Sequence, residues 1–295
     1  MTWVLETTMI GLTTGAVYAL IAMGYNVVFA TTGVLNFAHG EFFMGGMMIG
    51  AFLFVTVGLP APVALLATVL IGALAGVIEE RLAVRGAIEK GTGLGSSGWV
   101  LSTLGFGIII QAGITLWRGP ELRTFPSFMP FDSITIFDVT ITSQRILIIV
   151  AALGVGAAMY FFLEKSLLGR ALGAVEQDPD AARLRGIPVV RLGVIAFAIG
   201  GGLGALVGFL TAPLSAAVSS VGLVFGLKGF IAAAVGGIPS IKGALIAGFG
   251  LGLLEVFGVA WLGAGYRDAI VFGALIVVLM IRPAGLFGAG VVRAV

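Results

Sequence analysis

The sequence predicts an all-α polytopic integral membrane protein: about eight transmembrane helices, one short or re-entrant helix, and a single domain over residues 1–295. Three observations carry that prediction. The chain is 59% hydrophobic and only 10% charged, whereas soluble domains carry about 25% charged residues, and its mean hydropathy is +1.15. Apolar runs at 8–30, 42–57, 63–78, 99–117, 146–163, 192–214, 243–262 and 269–281 approach or reach the ~20 residues that span a bilayer as a helix. None of these runs alternates polar and apolar residues, as strands of a membrane barrel would.

The first run, 8–30, follows MTWVLETTM, which has no basic segment and no small-residue cleavage site. It is expected to stay as a helix rather than be removed as a signal peptide. Residues 1–7 hold no Lys or Arg, so the N-terminus is placed outside. Helix 1 then runs inward, helix 2 (about 37–57) outward, and helix 3 (61–78) inward to Arg81, Arg85 and Lys90. Helix 4 (97–117) leads to an outer loop over 118–143 that carries Arg118, Glu121, Arg123, Asp132 and Asp138 with Pro120, Pro126 and Pro130. That loop reads either as a dock for a periplasmic partner or as plain solvated chain.

Helix 5 (145–163) returns inside to a charged loop over 164–191, which holds nine of the 30 charged residues. Helix 6 (192–213) goes out, and a short segment over 228–238 heads back in. That segment is too short for an ordinary span, and such backbone is tolerated only where protein or a water-filled cavity covers it. Helices 242–262 and 268–282 leave the C-terminus inside with Arg282 and Arg293. On this plan 11 basic residues lie inside and five outside, and orientation follows that asymmetry.

Glycines four apart, at Gly11 and Gly15, Gly46 and Gly50, Gly72 and Gly76, Gly200 and Gly204, and Gly248 and Gly252, let helix backbones approach closely. The Gly-Gly pairs at 45–46, 201–202 and 236–237 are candidate helix breaks. Trp3, Trp99, Trp117 and Trp261 fall near span ends, where aromatic belts form.

Within the charged loop, Asp178-Pro179-Asp180 is a helix start. Asp178 can accept from free backbone N–H groups, and Pro179 suits the first helical position. Ala181, Ala182, Arg183, Leu184 and Arg185 continue the helix, and Gly186 ends it, with Pro188 beyond. A helix of about two turns with Ala181, Ala182 and Leu184 as its small or apolar face suits a groove in a partner protein; alternatively, it rests on lipid headgroups.

Asp180-Ala181-Ala182 followed by Gly186 resembles the EAA…G coupling loop of bacterial ABC importer permeases, with Asp in place of the usual Glu. The wider text GRALGAVEQDPDAARLRGIPVVRL resembles the permeases of branched-chain amino acid importers of LivH type. So do Gly15 to Leu20, Val34 to Glu41, Leu101 to Gly105, Gly226 to Phe230, Tyr266 to Ala269 and Arg282 to Gly288. The resemblance implies a permease subunit in the bacterial inner membrane that moves branched-chain or other neutral amino acids. It further implies a second homologous permease subunit, two cytoplasmic ATPase subunits that carry ATP and Mg, and a periplasmic solute-binding protein. Residues 178–186 would then couple to the ATPase. Related permeases of the same pattern serve urea or short amides, so that substrate class stays open.

The chain itself shows no G-x-x-x-x-G-K-[ST] phosphate loop, so ATP hydrolysis is assigned to partner chains. No catalytic residue and no metal site is expected: there is no cysteine, one histidine, and no paired aspartate within a span. The scattered Lys and Arg residues give no nucleic-acid patch; the partners are membrane lipid and protein. A passive channel or secondary carrier remains an alternative, with weak echoes of a repeat near 36–50 and 226–243.

Asn36, His39 and Glu41 form a polar cluster around Gly40 at the start of helix 2. One reading puts it on the transport path or at a gate. The other is a capped helix entry with satisfied side chains. Asn26, Gln111 and Glu255 read as interhelical hydrogen bonders. Lys228 and Lys242 read as snorkelling cations, and Arg267-Asp268 beside Tyr266 as an interfacial anchor.

Overall fold

The computed structural model describes residues 2–90, 98–121, 125–129, 132–136, 139–215 and 217–288. Arg123, Pro130 and Asp138 of the expected outer loop, and Arg293, lie outside them. The described chain is a helical bundle with one small hairpin. Helix α1 (Thr2–Thr32) is followed by α2 (His39–Ala51), which widens into a π-helical turn, Phe52–Thr56. Helix α3 (Ala61–Glu79) passes through a second π turn, Glu80–Val84, into α4 (Arg85–Lys90). After α5 (Gly98–Arg118) come strands β1 (Ser133–Ile136) and β2 (Val139–Thr142), antiparallel with Ser133 opposite Thr142. Then follow α6 (Ser143–Lys165), α7 (Leu167–Gln177), α8 (Pro179–Leu184) and α9 (Val189–Thr211). Helices α10 (Val221–Gly236), α11 (Ile241–Leu262) and α12 (Arg267–Ile281) complete the bundle.

Eight helical runs among the described residues are long and apolar enough to cross a membrane. They match the eight expected spans, and the chain is a multi-pass helical membrane protein. The short ninth helix exists, but not over 228–238. It covers Val221–Gly236, and its 16 residues make ~24 Å at 1.5 Å per residue, still short of the ~30 Å hydrocarbon core. Its C-terminal end abuts the start of α11 through Gly236 and Gly243, so it runs the same way as α1 and counts as one leg of the bundle. The chain therefore starts at one end of the bundle and leaves α12 at the other.

Helix α1 is the axis of the structure, with most of its length buried. It packs antiparallel to α11, and glycines set the contact distance. A Cβ on Gly15 would stand 2.6 Å from Phe249 Cα, and one on Gly248 2.6 Å from Ala19 Cα. Gly72 and Gly76 of α3 meet Gly201 and Phe197 of α9 in the same way, and Gly46 of α2 meets Ala205. The expected Gly-Gly breaks at 45–46 and 201–202 are absent: both pairs lie inside helices, and one member of each, Gly46 and Gly201, serves close approach. Only 236–237 ends a helix, with Gly237 at φ +93°.

Apolar side chains that cover nothing within the chain lie on the outer helices. Leu66, Leu70, Leu74 and Ile78 of α3, with Leu82 in the π turn that follows, form an exposed stripe at a spacing of four. In water such a stripe would be costly; in a bilayer it is a lipid face. Part of the outer loop packs on the bundle: the Phe125 and Phe128 rings lie against Phe209 at the end of α9.

Gly248→Val is expected to destabilise the purified protein by ~1–3 kcal/mol through overpacking. Gly250→Ala, on the same helix with open space at its Cβ, is expected to be neutral. Thermal unfolding followed by size-exclusion chromatography in detergent separates the two.

Candidate functional site

The 178–186 segment forms the predicted short helix. Asp178 Oδ1 accepts from the backbone N–H groups of Asp180 and Ala181, both at 2.9 Å, which satisfies two donors at the helix start. Pro179 sits in the first turn. At the other end the Ile187 N–H donates to the Ala182 carbonyl at 3.0 Å, and Gly186 takes φ +80°, a left-handed stop that glycine adopts without strain. Arg183 pairs with Asp180 at 3.0 Å on the exposed side.

One expectation for α8 is corrected. Ala182 does not belong to an outward apolar face. It is 3% exposed and packs with Leu172, Val175 and Leu192 in a small core of its own. That core exists because part of the charged loop is itself a helix, α7, and is amphipathic: Leu172 and Val175 turn inward and Leu167 stays exposed. Ser166 Oγ caps α7 by accepting from Gly169 N–H at 2.8 Å. Leu184 is 91% exposed. Helix α8 is thus a small rigid projection with an apolar tip, seated on α7 and α9.

A cleft of about 810 Å³ separates α8 from the end of α1 and the π turn after α3. Asp180 and Arg183 line one side, and Glu80 and Arg85 line the other. Arg85 grips Glu80 with two nitrogens, the shortest contact being 2.9 Å. Glu176, at the end of α7, also lines the cleft, and partial burial there pushes its carboxyl above the ordinary range.

Asn36, His39 and Glu41 come together next to this end of the bundle. His39 abuts Gly24 of α1, eight residues before that helix ends. The chain therefore doubles back along the last two turns of α1 before α2 begins. Such buried non-helical backbone needs partners, and Asn36 supplies them. Its Oδ1 accepts from Ala38 N–H at 2.8 Å, and its Nδ2 donates to Glu79 Oε2 at 2.6 Å. Asn36 thus pins the turn to α3 rather than capping α2 directly. The His39 ring lies 4.7 Å from the Tyr25 ring; neither nitrogen makes a well-formed hydrogen bond, although the Ile21 carbonyl is close enough to interact. The Glu41 carboxylate lies against Gly222 of α10.

Comparison with known proteins places this arrangement. The family profile described as "Branched-chain amino acid transport system / permease component" matches residues 7–280. The chain belongs to this family. It is 34% identical to the high-affinity branched-chain amino acid transport system permease protein BraD of Pseudomonas aeruginosa, over 94% of each chain. It is 32% identical to LivH of Escherichia coli, over 94% of this chain and 93% of LivH. A more distant relative, 24% identical over 89% of this chain and 66% of its own length, is the fructose import permease protein FrcC of Rhizobium meliloti. The fold is also similar to the solved structure of PsaBC from Streptococcus pneumoniae in complex with Fab, with TM-score 0.51 and 15% identity, covering 94% and 92% of the two chains. The chain is a permease subunit of the ABC importer type.

This permease holds one buried charge network that sequence reasoning missed. Lys228, expected to snorkel, is 5% exposed in α10. Its Nζ lies 3.0 Å from Glu255 Oε1 on α11 and 3.1 Å from Asp268 Oδ1 on α12. Glu255 also accepts from the Tyr18 hydroxyl on α1 at 2.7 Å, and Arg267 Nε lies 3.4 Å from it. Arg267-Asp268 is therefore an extension of an interior network, not a surface anchor alone. The available signal was two opposite charges within apolar runs, at Lys228 and Glu255, which need each other in hydrocarbon. Lys242 stands 4.4 Å over the Tyr160 ring, a cation–π contact at an exposed position.

Lys228→Met leaves Glu255 buried with only Tyr18 and Arg267, and is expected to cost roughly 3 kcal/mol of stability, the low end for breaking a buried pair. Lys228→Met with Glu255→Gln is expected to recover much of that loss in the same melting assay. The raised Glu176 pKa carries a defined sign: its contribution is complete at acid pH and is lost as pH rises through the folded-state value. Glu176→Gln is therefore expected to raise the melting temperature at pH 7, with no difference from wild type at pH 4.

Proposed function

We propose that this permease subunit moves branched-chain or other neutral amino acids across the bacterial inner membrane, driven through residues 178–186 by separate ATPase subunits. The observation that carries the reading is α8 itself: a helix capped at both ends, seated on its own small core, with Leu184 fully presented. Rigid seating lets a push on α8 move α7 and α9 rather than bend a loop. Asp178, Pro179 and Gly186 set its shape; Asp180, Arg183, Leu184 and Arg185 offer its contact surface; Ala181 and Ala182 keep it compact.

The substrate class follows the names of the relatives in Pseudomonas and Escherichia, described for branched-chain amino acids. The fructose relative argues that the shared scaffold does not by itself select the solute, which leaves urea or short amides as the second reading. Partners would be a second homologous permease, two ATPase subunits that bind ATP and Mg, and a periplasmic solute-binding protein. Arg81, Arg85, Arg170, Arg183, Arg185 and Arg191 cluster at the α8 end, so the positive-inside rule puts that end and the C-terminus in the cytoplasm and the N-terminus outside. Asn36, His39 and Glu41 would form a gate or hinge, because the turn they hold lies between α1, α3 and α10.

Leu184→Asp is expected to insert and melt normally, since its side chain touches nothing it would disturb, yet to lose ATPase subunits on copurification and to abolish uptake. Normal uptake by that variant would overturn the coupling role. The solute retained by the cognate binding protein tests the substrate class: a sugar or a peptide there would exclude it.

A further inference from the structure

We propose that a second groove, beside α8 and the start of α9, binds the headgroup of an anionic phospholipid. The groove measures about 870 Å³ and lies between the ends of α3 and α9. Four arginines from three separate stretches converge on it: Arg81 and Arg85 after α3, Arg183 from α8 and Arg191 from α9. No carboxylate is among its lining residues. The acids that pair with Arg85 and Arg183, namely Glu80 and Asp180, line the neighbouring cleft instead. Arg81 and Arg191 have no ion-pair partner among the described residues. The groove is thus a concentrated positive site with its counter-charges turned away.

The rest of the lining is apolar, with Val190, Val194 and Ile195 of α9 among it. The exposed stripe of Leu74 and Ile78 on α3 and Leu82 in the π turn leads in sequence to Arg81 and Arg85. This pairing of cations with a greasy wall selects the ligand. A phosphodiester offers the oxygens that guanidinium groups hold in a fork, and acyl chains would cover the apolar wall. A soluble phosphate would answer the charge and leave that wall bare. Basic pockets between membrane helices at the headgroup level favour anionic lipid for these reasons. The site does not depend on which solute is carried; Arg183 and Gly186 are shared with the α8 segment assigned above to coupling, so the test varies Arg81 and Arg191, which lie outside that segment.

The test uses the full chain with whatever subunits accompany it from the membrane. Phosphatidylglycerol or phosphatidylcholine is titrated in detergent, and bound lipids are counted by native mass spectrometry. Phosphatidylglycerol is expected to bind preferentially. Affinity should fall about fivefold for R81Q or R191Q and about 25-fold for the double variant, as expected from ~1 kcal/mol per basic residue at an anionic surface. R81K/R191K, which keeps the charge and loses the fork, should bind with an affinity between those of wild type and R81Q/R191Q. Equal phosphatidylglycerol binding by wild type and R81Q/R191Q would overturn the proposal. So would displacement by soluble glycerol phosphate at the same concentration as lipid, which would assign the groove to a soluble anion. Unchanged lipid binding together with loss of accompanying subunits from R81Q/R191Q would overturn it too, and assign the groove to a protein partner. If the double variant is not recovered folded, the single variants carry the same comparison.

Discussion

Backbone contact between helices, made possible by glycine, is the constraint on which the rest of this structure depends. In lipid there is no hydrophobic gain from bringing two apolar helices together, so association rests on close packing and polar bonds. Helix α1 solves this by running against α11 where Gly11, Gly15, Gly248 and Gly252 remove the side chains that would hold the backbones apart. Helix α9 does the same against α3 and α2. With these crossings in place the inner helices form a rigid unit, and α3, α5 and α12 can leave most of their apolar surface to lipid.

Polar groups are then placed where that rigid unit needs them. At one end Asn36 stitches the turn before α2 to Glu79 of α3. Toward the other end Lys228 ties α10 to α11 and α12 through Glu255 and Asp268. Gln144 Nε2 donates to the Leu210 carbonyl at 2.6 Å, and Gln111 Nε2 to the Ser219 carbonyl at 3.1 Å, which satisfies acceptors near the end of α9 and before α10 where the helical ladder stops. The C-terminal stretch performs the same service for α10: the N–H groups of Leu286 and Phe287 donate to the Val235 and Gly236 carbonyls at 2.9 and 3.0 Å. The Arg282-to-Gly288 text thus has a structural task in addition to its resemblance to the family.

The site was partly legible before any coordinates. Local chemistry determines α8: an Asp-Pro start and a Gly stop encode both ends within nine residues, so no distant contact was needed to predict it. Its seat was hidden, because the inward turn of Ala182 depends on Leu172 and Val175 of α7 and on Leu192 of α9. The Lys228–Glu255 pair was hidden for the same reason. Each residue alone reads as a lone charge in an apolar run, and 27 residues of separation say nothing about which helix faces which.

By itself the sequence determined the membrane class, the eight spans, the capped helix at 178–186 and the family, since these rest on composition, run length and local order of residues. Tertiary structure alone decided where the short helix begins, which glycines pack rather than break, and how the arginines share out their acids. Those outcomes depend on which backbones meet, and hydrophobicity is blind to that when every neighbour, lipid included, is equally apolar.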